Sequence, residues 1–380
     1  MAVVHGSTIR FEGYKAYVPA PLPPDLEWTT ELVRALSEAD GVMGMLAAEG
    51  AWLPNPHVLL RPFVRSEAVE SSRIEGTQAS LGELLAAEAG AAVERSPDDL
   101  REVGNYVAAL EHGMARLREL PICVRLVREV HEKLMTGVRG HNAAPGEFRT
   151  IQNWIGRPGS TVSTATYVPP PPGEIAPCLA AWERFLHESR FPPLITIAMA
   201  HYQFEAIHPF LDGNGRVGRL LITLFLIEKR VLPTPLLYLS AFFEASRPEY
   251  YRRLRAVSEG GEWAEWVEYF LHGVARIAQN ALDRSSRIRQ LLQEWRGVLK
   301  ASSPKVDLRV LERLSENPFV TIPGVAEELG IAFTTAQRAL ERLERLGIVR
   351  AASEARRGRV YCAWKLLEIL EEPVRLDFSY

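Results

Sequence analysis

The sequence has few cysteines and no long run of apolar residues. Its three cysteines, Cys123, Cys178 and Cys362, lie far apart and show no spacing typical of metal ligands. A disulfide framework is therefore not expected, and a reducing cytoplasm fits better. The longest apolar run, Leu220–Ile227, is too short to cross a bilayer, and the N-terminal residues lack the apolar core of a signal peptide. We expect a cytoplasmic protein with no membrane partner.

Neither sign of charge dominates. The chain has 44 Lys and Arg against 47 Asp and Glu, a formal net charge of -3. This balance argues against a surface that binds nucleic acid or membranes as a whole, although a local basic patch stays open. Apolar residues make up 47% of the chain, which is typical of a globular protein. A length of 380 residues suits two or three domains.

Proline and glycine are concentrated in the first two dozen residues, which we expect to form an irregular arm. Beyond them, apolar residues recur at intervals of three and four, a helical pattern. The segments with this pattern are 32–46, 64–74, 100–117, 122–135, 175–186 and 194–207. Residues Glu262–Lys300 keep the same spacing and predict a connector helix about 58 Å long at 1.5 Å per residue.

One segment departs from the helical pattern. Residues 148–172 read FRTIQNWIGRPGSTVSTATYVPPPP. They are rich in β-branched residues, turn at GRPGS and end in four prolines, which predicts a β-hairpin between Thr150 and Val168. From the residues alone, this hairpin is either a functional element or a decoration of the surface.

A dense group of polar residues lies between two apolar segments, where residues 208–219 read HPFLDGNGRVGR. Gly213, Asn214 and Gly215 permit a tight turn whose N–H groups converge at a helix start, which forms an anion-binding nest. Arg216 and Arg219 lie three residues apart on neighbouring faces of that helix. Two guanidinium groups beside a nest suit a polyphosphate.

Two further side chains complete this group. Asp212 offers hard oxygen ligands suited to holding Mg²⁺ against phosphates. His208 belongs to the residue type with a pKa near 6.5, so it can accept a proton from an attacking hydroxyl at neutral pH. A glycine-rich turn beside solvated charges is the plain alternative. It is disfavoured because all the roles of a nucleotide-transfer site occur together.

The stretch resembles the signature of the Fic family, His-x-Phe-x-Asp/Glu-Gly-Asn-Gly-Arg-x-x-Arg, and every defined position is filled. The resemblance extends from about Asp25 to the connector helix. It implies transfer of AMP from ATP to a protein side-chain hydroxyl, with release of pyrophosphate and Mg²⁺ as cofactor. His208 would be the general base, Asp212 the metal ligand and Phe210 an apolar anchor of the loop. The phosphate cradle would comprise Gly213, Asn214, Gly215, Arg216, Val217, Gly218 and Arg219.

An upstream stretch, residues 71–77, reads SSRIEGT and resembles the inhibitory motif of the same family. Ser71 and Glu75 are four residues apart and share one helix face. The resemblance implies that Glu75 reaches into the nucleotide site and pairs with Arg219, competing for the guanidinium that should hold the γ-phosphate. An exposed glutamate near a helix end, capped by Gly76, is the alternative.

The resemblance also gives the hairpin a role as a flap that clamps the target segment by backbone pairing. Trp154, Ile155 and Gly156 are the predicted docking residues. Tyr250 and Tyr251 either line the adenine pocket, as an aromatic does in relatives, or pack in the helix core. Of the two, Tyr251 is the predicted nucleotide contact.

The last part of the chain has a different pattern. From Asp307, three short helical segments precede a hairpin with a basic tip, which resembles a winged helix-turn-helix. Residues 305–365 hold eleven Lys and Arg against eight Asp and Glu, a small surplus. The candidate DNA contacts are Thr334, Thr335, Gln337, Arg338, Arg356, Arg357 and Arg359. A dimerisation or partner-docking module is equally open.

The sequence therefore predicts a mainly α protein, with a helical Fic domain, a small β-hairpin flap and a C-terminal winged helix-turn-helix. The expected units are an N-terminal arm and inhibitory region (1–95), a catalytic domain (96–260), a connector helix (261–303) and a winged-helix domain (304–380).

The predicted function is a protein adenylyltransferase, autoinhibited by Glu75. Its partners would be ATP and a target protein bearing a Ser, Thr or Tyr hydroxyl. Self-modification, a homodimer and DNA binding stay open. One alternative is a DNA-binding regulator whose Fic domain senses nucleotide. The others are enzymes of the same scaffold that transfer UMP or phosphocholine, or remove AMP.

Overall fold

The computed structural model describes residues 5–52, 57–93, 96–138, 144–302, 304–352 and 359–374. Within these ranges the chain is mainly helical, as predicted, with two small antiparallel sheets. The helices are α1 (Thr30–Trp52), α2 (His57–Ile74), α3 (Leu81–Glu88), α4 (Pro97–Arg116), α5 (Val124–Met135), α6 (Pro172–Glu188), α7 (Pro193–Ile207), α8 (Asn214–Glu228), α9 (Ser240–Ala245), α10 (Arg247–Gly260), α11 (Trp263–Ser302), α12 (Lys305–Glu316), α13 (Ile322–Leu329), α14 (Phe333–Arg345) and α15 (Trp364–Glu371). The strands are β1 (Gly6–Phe11), β2 (Tyr14–Pro19), β3 (Phe319–Thr321), β4 (Arg350–Ala351) and β5 (Val360–Cys362).

Helix α7 lies at the centre of the helices that precede α11. Its sequence is apolar on nearly every face, and such a helix is stable only when it is surrounded by protein. It packs between α6 and α8. Trp182 of α6 is 1% exposed, and its indole N–H donates to the carbonyl of Ala200 at 2.9 Å. The site between α7 and α8 is therefore built on the most deeply buried helices.

The prediction of an irregular N-terminal arm is wrong for residues 6–19. Strands β1 and β2 pair antiparallel, with Phe11 opposite Tyr14, and their rings stack at a centroid distance of 4.9 Å. A two-residue turn joins them, and Gly13 takes its left-handed position at φ 85°. Gly13 is a turn signal in the sequence, whereas the prolines that follow favour an irregular arm.

The predicted flap hairpin is only partly regular. The segment Ile151–Pro170, which we call the flap segment, contains one antiparallel bridge, between Ile155 and Tyr167, and is otherwise loop. Most side chains of the flap segment are exposed. Since neither face of the segment is buried, burial does not fix the register of a longer strand pair. Strand β2 supports its end, since the Tyr17 N–H donates to the carbonyl of Val168 at 2.9 Å.

Helix α11 is continuous over 40 residues, about 60 Å at 1.5 Å per residue, and it packs along α1. Beyond it, helices α12 to α14 and the sheet β3-β5-β4 form the predicted winged helix. The wing residues Arg356 and Arg357 lie outside the described residues. No helix in the described ranges is both long enough and apolar enough to span a membrane.

The winged helix contacts the region before the catalytic helices. The Asn317 side chain donates to the carbonyl of Leu85 in α3 at 2.9 Å, and Arg61 of α2 pairs with Glu316 of α12 at 3.3 Å. Helix α3, which the sequence analysis did not identify, begins with a capping box formed by Ser80 and Glu83. Helix α2 is thus held between the catalytic helices and the C-terminal domain.

Candidate active site

The residue at the centre of the site is His208, the first residue after α7. It takes the left-handed conformation at φ 50°, and its ring is partly buried. Its Nδ1 lies 3.3 Å from the Glu205 carbonyl. A carbonyl can only accept, so Nδ1 carries the proton and Nε2 keeps its lone pair. Burial lowers the pKa of His208 to about 4, so the ring is a neutral base at pH 7.

The loop from His208 to Gly213 is rigid because its backbone is held by side chains. Asn214 closes it, accepting from the Phe210 N–H at 2.8 Å and donating to the Phe210 carbonyl at 2.9 Å. Phe210 is fully buried and stacks on His131 with ring centroids 3.6 Å apart. His131 Nδ1 accepts from the Gly146 N–H, so its Nε2 donates to the Asp212 carbonyl at 3.0 Å.

Helix α8 begins immediately after this loop. Gly213 is its N-cap at φ 77°, and a Cβ there would lie 2.8 Å from the Met135 sulfur. The first N–H groups of α8 have no acceptor within the helix, and its dipole favours an anion there. Val217 is fully buried, so within the predicted cradle it contributes to core packing. The tight turn expected from the glycines is present, with Gly213 in the left-handed region before α8.

Arg216 lies inside this nest and is only 5% exposed. Its Nη1 is 3.8 Å from Glu102 and its Nη2 is 3.8 Å from Asp212, too far for hydrogen bonds. Within the described residues, its Nε and Nη1 have no hydrogen-bond acceptor. Buried donors without acceptors are costly. The two carboxylates lie at ion-pair distance without forming hydrogen bonds, so this guanidinium keeps donors for a further anion.

Arg219, one turn further along α8, is fully engaged. It is 2% exposed, and it donates to the Ser71 hydroxyl at 2.9 Å and the Ser71 carbonyl at 2.8 Å. Its Nη2 also donates to Glu75 at 2.7 Å. Desolvation is the largest single influence and favours the neutral form of Glu75. The charge and hydrogen bond of Arg219 together with the charge of Arg216 outweigh it, and the pKa of Glu75 is lowered. The ion pair expected between Glu75 and Arg219 is therefore present.

The Glu75 carboxylate also reaches the backbone of α8. A Cβ on Gly215 would collide with this carboxylate and would lie 2.8 Å from Arg219 Nη1. The end of α2 thus occupies the space directly above the first turn of α8. Glu75 is 37% exposed at its side chain, so it closes the site from the solvent side.

The two tyrosines of α10 have different surroundings. Tyr250 is 1% exposed, and its hydroxyl is bonded to His201 at 2.9 Å, so it is a core residue. Tyr251 is 43% exposed and lines a cavity of about 1000 Å³ together with Ile155 and Gly156. Trp154 is exposed beside them, and its indole N–H donates to the Ser160 carbonyl. The predicted docking residues and Tyr251 thus lie around one opening.

Three residues of the site were missed by the sequence analysis: His131, Arg149 and Glu205. His131 and Arg149 hold the catalytic loop through the backbone bonds of Asp212 and His208. Burial raises the pKa of Glu205 to about 7. A signal existed for Glu205, a lone acidic residue in the apolar sequence of α7. Bonds to distant backbone carbonyls leave no pattern in a sequence.

The pKa values of the buried histidines can be measured. Burial lowers those of His131, His201 and His208 to about 4, 3 and 4. We expect the ring signals of all three, followed by NMR after histidine-selective labelling, to stay constant from pH 8 to pH 5.5. A His208→Gln variant identifies the His208 signal. A midpoint for His208 near 6.5 would contradict the neutral, desolvated imidazole.

Family models match three parts of this chain. Residues 33–115 match the Fic/DOC family N-terminal region, and residues 121–226 match the Fic/DOC family domain. Residues 304–350 match the winged helix-turn-helix DNA-binding family. The described loop and both arginines of α8 lie within the second match.

Proteins of known name and structure give the same picture. The chain is 29% identical over 193 residues to the protein adenylyltransferase Fic of Drosophila ananassae, half of this chain but only 34% of that protein. A Fic family protein from Desulfovibrio desulfuricans superimposes with a TM-score of 0.60 at 21% identity, covering 90% of this chain and 98% of the other. A Fic domain containing signaling protein from Bacteroides thetaiotaomicron gives 0.52 at 17%, covering 67% and 95%. The chain spans about a third of the curated relatives it matches, and it is a member of the Fic/DOC family.

Proposed function

We propose that this protein transfers AMP from ATP to a side-chain hydroxyl of a target protein and releases pyrophosphate. The observation that carries the proposal is the position of a neutral His208 beside a helix N-terminus with a buried, hydrogen-bond-deficient Arg216. A base next to an anion site suits attack of a hydroxyl on a phosphorus atom. The resemblance to named adenylyltransferases adds support.

The phosphates would be held by the start of α8. The free N–H groups of its first turn and the Arg216 guanidinium would bind the phosphate oxygens. The two buried donors of Arg216 would then gain the acceptors that they lack within the described residues. Arg219 would bind the γ-phosphate once Glu75 has moved away. Tyr251, in the cavity of about 1000 Å³, would contact the adenine.

Asp212 is the residue that would hold Mg²⁺. Its side chain is 60% exposed, one oxygen accepts from the Gly213 N–H at 2.7 Å, and the other lies 3.8 Å from Arg216 Nη2. One carboxylate is a common protein contribution to Mg²⁺ sites that also use substrate phosphates and water. The residue present therefore fits the metal, which when bound neutralises charge on the phosphates.

In the proposed reaction, His208 Nε2 takes the proton of the target hydroxyl as its oxygen attacks the α-phosphorus. The new bond joins that oxygen to phosphorus, and the bond between the α-phosphorus and its bridge to the β-phosphate breaks. Pyrophosphate leaves with the bonding electrons. Because the pKa of His208 lies near 4, the base is available at all pH values above about 5.

The flap segment would present the target. Ile155 and Gly156 line the opening beside Tyr251, and Trp154 is exposed next to them. An extended chain that paired with this segment would place its hydroxyl near His208 by adding a strand. Trp154 and Ile155 would provide apolar contacts for the flanking side chains.

Glu75 would keep the enzyme inactive. While the Glu75–Arg219 pair stands, Arg219 cannot bind the γ-phosphate, so the triphosphate is held poorly or with its α-phosphorus out of line. A misplacement of about an ångström can lower a rate on the order of a hundredfold. Glu75 would thus inhibit transfer by keeping the α-phosphorus out of line with the attacking hydroxyl.

The variant Glu75→Gly should raise AMP transfer, including self-modification, by on the order of a hundredfold. The measurement is label retained on protein after incubation with Mg²⁺ and ATP labelled at the α- or the γ-phosphate. We expect label from the α-position only. Arg219→Ala should not imitate the gain, because it removes the clamp together with its competitor, and Glu75→Gly combined with His208→Ala should be inactive.

Equal labelling of wild type and Glu75→Gly would contradict the inhibitory role. Strong labelling of the double variant would contradict the role of His208. Labelled UTP and CDP-choline test the other transfers, and a modified target that loses AMP would support the reverse reaction. A chain that binds nucleotide but labels nothing under any of these conditions would favour the regulator.

We also infer that the winged helix binds duplex DNA, since the start of α14 is exposed. Thr334, Thr335 and Arg338 are solvent-exposed side chains on its first two turns, where a recognition helix contacts base edges. Gln337 is partly buried and donates to Glu341. Arg359 of the wing lies over Tyr361. The family match to winged DNA-binding domains supports this second function.

The full chain should bind a labelled duplex at 50 mM salt, measured by fluorescence anisotropy, with affinity that falls steeply as salt rises. Arg338→Gln should weaken binding several-fold because a phosphate or base contact is lost. Arg255→Gln, an exposed arginine of α10 that pairs with Glu259, is the matched control and should change little. No binding at low salt would leave the domain as a protein-interaction module.

A further inference from the structure

Arg149 stands just before the flap segment and is 3% exposed. Its guanidinium donates to three backbone carbonyls. Nε bonds to His208 at 2.9 Å, Nη1 to Ile151 at 3.3 Å, and Nη2 to Pro170. Among the described residues, none of its hydrogen bonds or ion pairs involves a carboxylate. A single cation thus joins the catalytic histidine to both ends of the flap segment.

This arrangement is unusual for a buried arginine. Buried charges are normally paired with an opposite charge, because desolvation is costly. Here burial lowers the pKa of Arg149 to about 10, which leaves the group charged at neutral pH. Within the part of the chain that the structure describes, the hydrogen bonds that compensate this charge come from carbonyl dipoles. The residue therefore stabilises the particular backbone arrangement that points these three carbonyls at it.

The backbone of His208 gives this contact its importance. The left-handed region is unfavourable for a residue other than glycine, and His208 lies there at φ 50°. The His208 carbonyl therefore points away from the axis of α7, and it accepts a hydrogen bond from Arg149 Nε. The Arg149 N–H also donates to the Pro209 carbonyl at 3.0 Å. Two hydrogen bonds from Arg149, to the carbonyls of His208 and Pro209, thus fix the backbone that orients the His208 imidazole.

We propose that Arg149 is a positioning residue that sets the distance between the His208 imidazole and the hydroxyl of a target seated on the flap segment. The inference rests on the proposed AMP transfer. Arg149 touches neither nucleotide nor target in this account. It acts by tying the base and the docking segment to one rigid group, so that both reactants meet in line.

The test compares Arg149→Lys with Arg284→Lys, each in the Glu75→Gly background. Lysine keeps the charge, but it is a point charge that cannot bond three carbonyls in the planar fork of a guanidinium. Arg284 is a matched control, since it is 4% exposed and its bonds go to the Leu370 and Glu372 carbonyls, away from the site. We expect Arg149→Lys to lower kcat for AMP transfer by about 10- to 100-fold, with the KM for ATP within about twofold. Arg284→Lys should change neither.

A second measurement does not depend on transfer. Hydrogen–deuterium exchange followed by mass spectrometry should become faster in Arg149→Lys at residues 151–170 and 208–213, and stay unchanged in the winged helix. Unchanged exchange in these two segments overturns the inference, as does faster exchange along the whole chain, which would show a general loss of stability.

Faster local exchange with an unaltered kcat also overturns the positioning role. If Glu75→Gly itself transfers no AMP, the proposed function fails. The exchange measurement then still decides whether Arg149 holds the two segments together.

Discussion

The arrangement of the site depends on one buried guanidinium, that of Arg219. At 2% exposure it needs partners for its donors, and the end of α2 provides three of them, the Ser71 hydroxyl, the Ser71 carbonyl and the Glu75 carboxylate. In the proposed function, the γ-phosphate would replace the Glu75 carboxylate at Arg219. The same ion pair that satisfies the buried charge would then decide whether a triphosphate can be clamped. Stability of this fold and restraint of the proposed activity have a common origin.

Further contacts along its length also hold helix α2 in place. One turn before Ser71, the fully buried Glu67 accepts from the Tyr106 hydroxyl at 3.0 Å and the Ser240 N–H at 3.0 Å, and burial raises its pKa to about 7. Phe63 stacks on Tyr238, and the winged helix packs against the outer side. The position of the Glu75 carboxylate thus depends on the packing of the whole helix α2.

Much of this could be predicted from the sequence, for physical reasons. Three- and four-residue apolar spacing identified the six long helices before α8 and the connector helix, because burial of apolar side chains stabilises each. The signature placed the polar loop between two buried helices. The hairpin at residues 6–19 left only a turn signal in the sequence, since tertiary packing decides whether the residues on either side of the turn pair. The burial of Tyr250 is likewise decided by tertiary packing. The role of Arg149 could not be predicted for another reason. Its hydrogen-bond partners are backbone carbonyls, as far as 59 residues away in the sequence.

The central claim is that Glu75 and the γ-phosphate compete for Arg219. Calorimetric titration of ATP and of ADP, each with Mg²⁺, into wild type and Glu75→Gly tests it directly. ADP lacks the phosphate that Arg219 would bind, so the account predicts that the variant gains affinity for ATP and much less for ADP. An equal gain for the two nucleotides, or no gain for ATP, would contradict the competition.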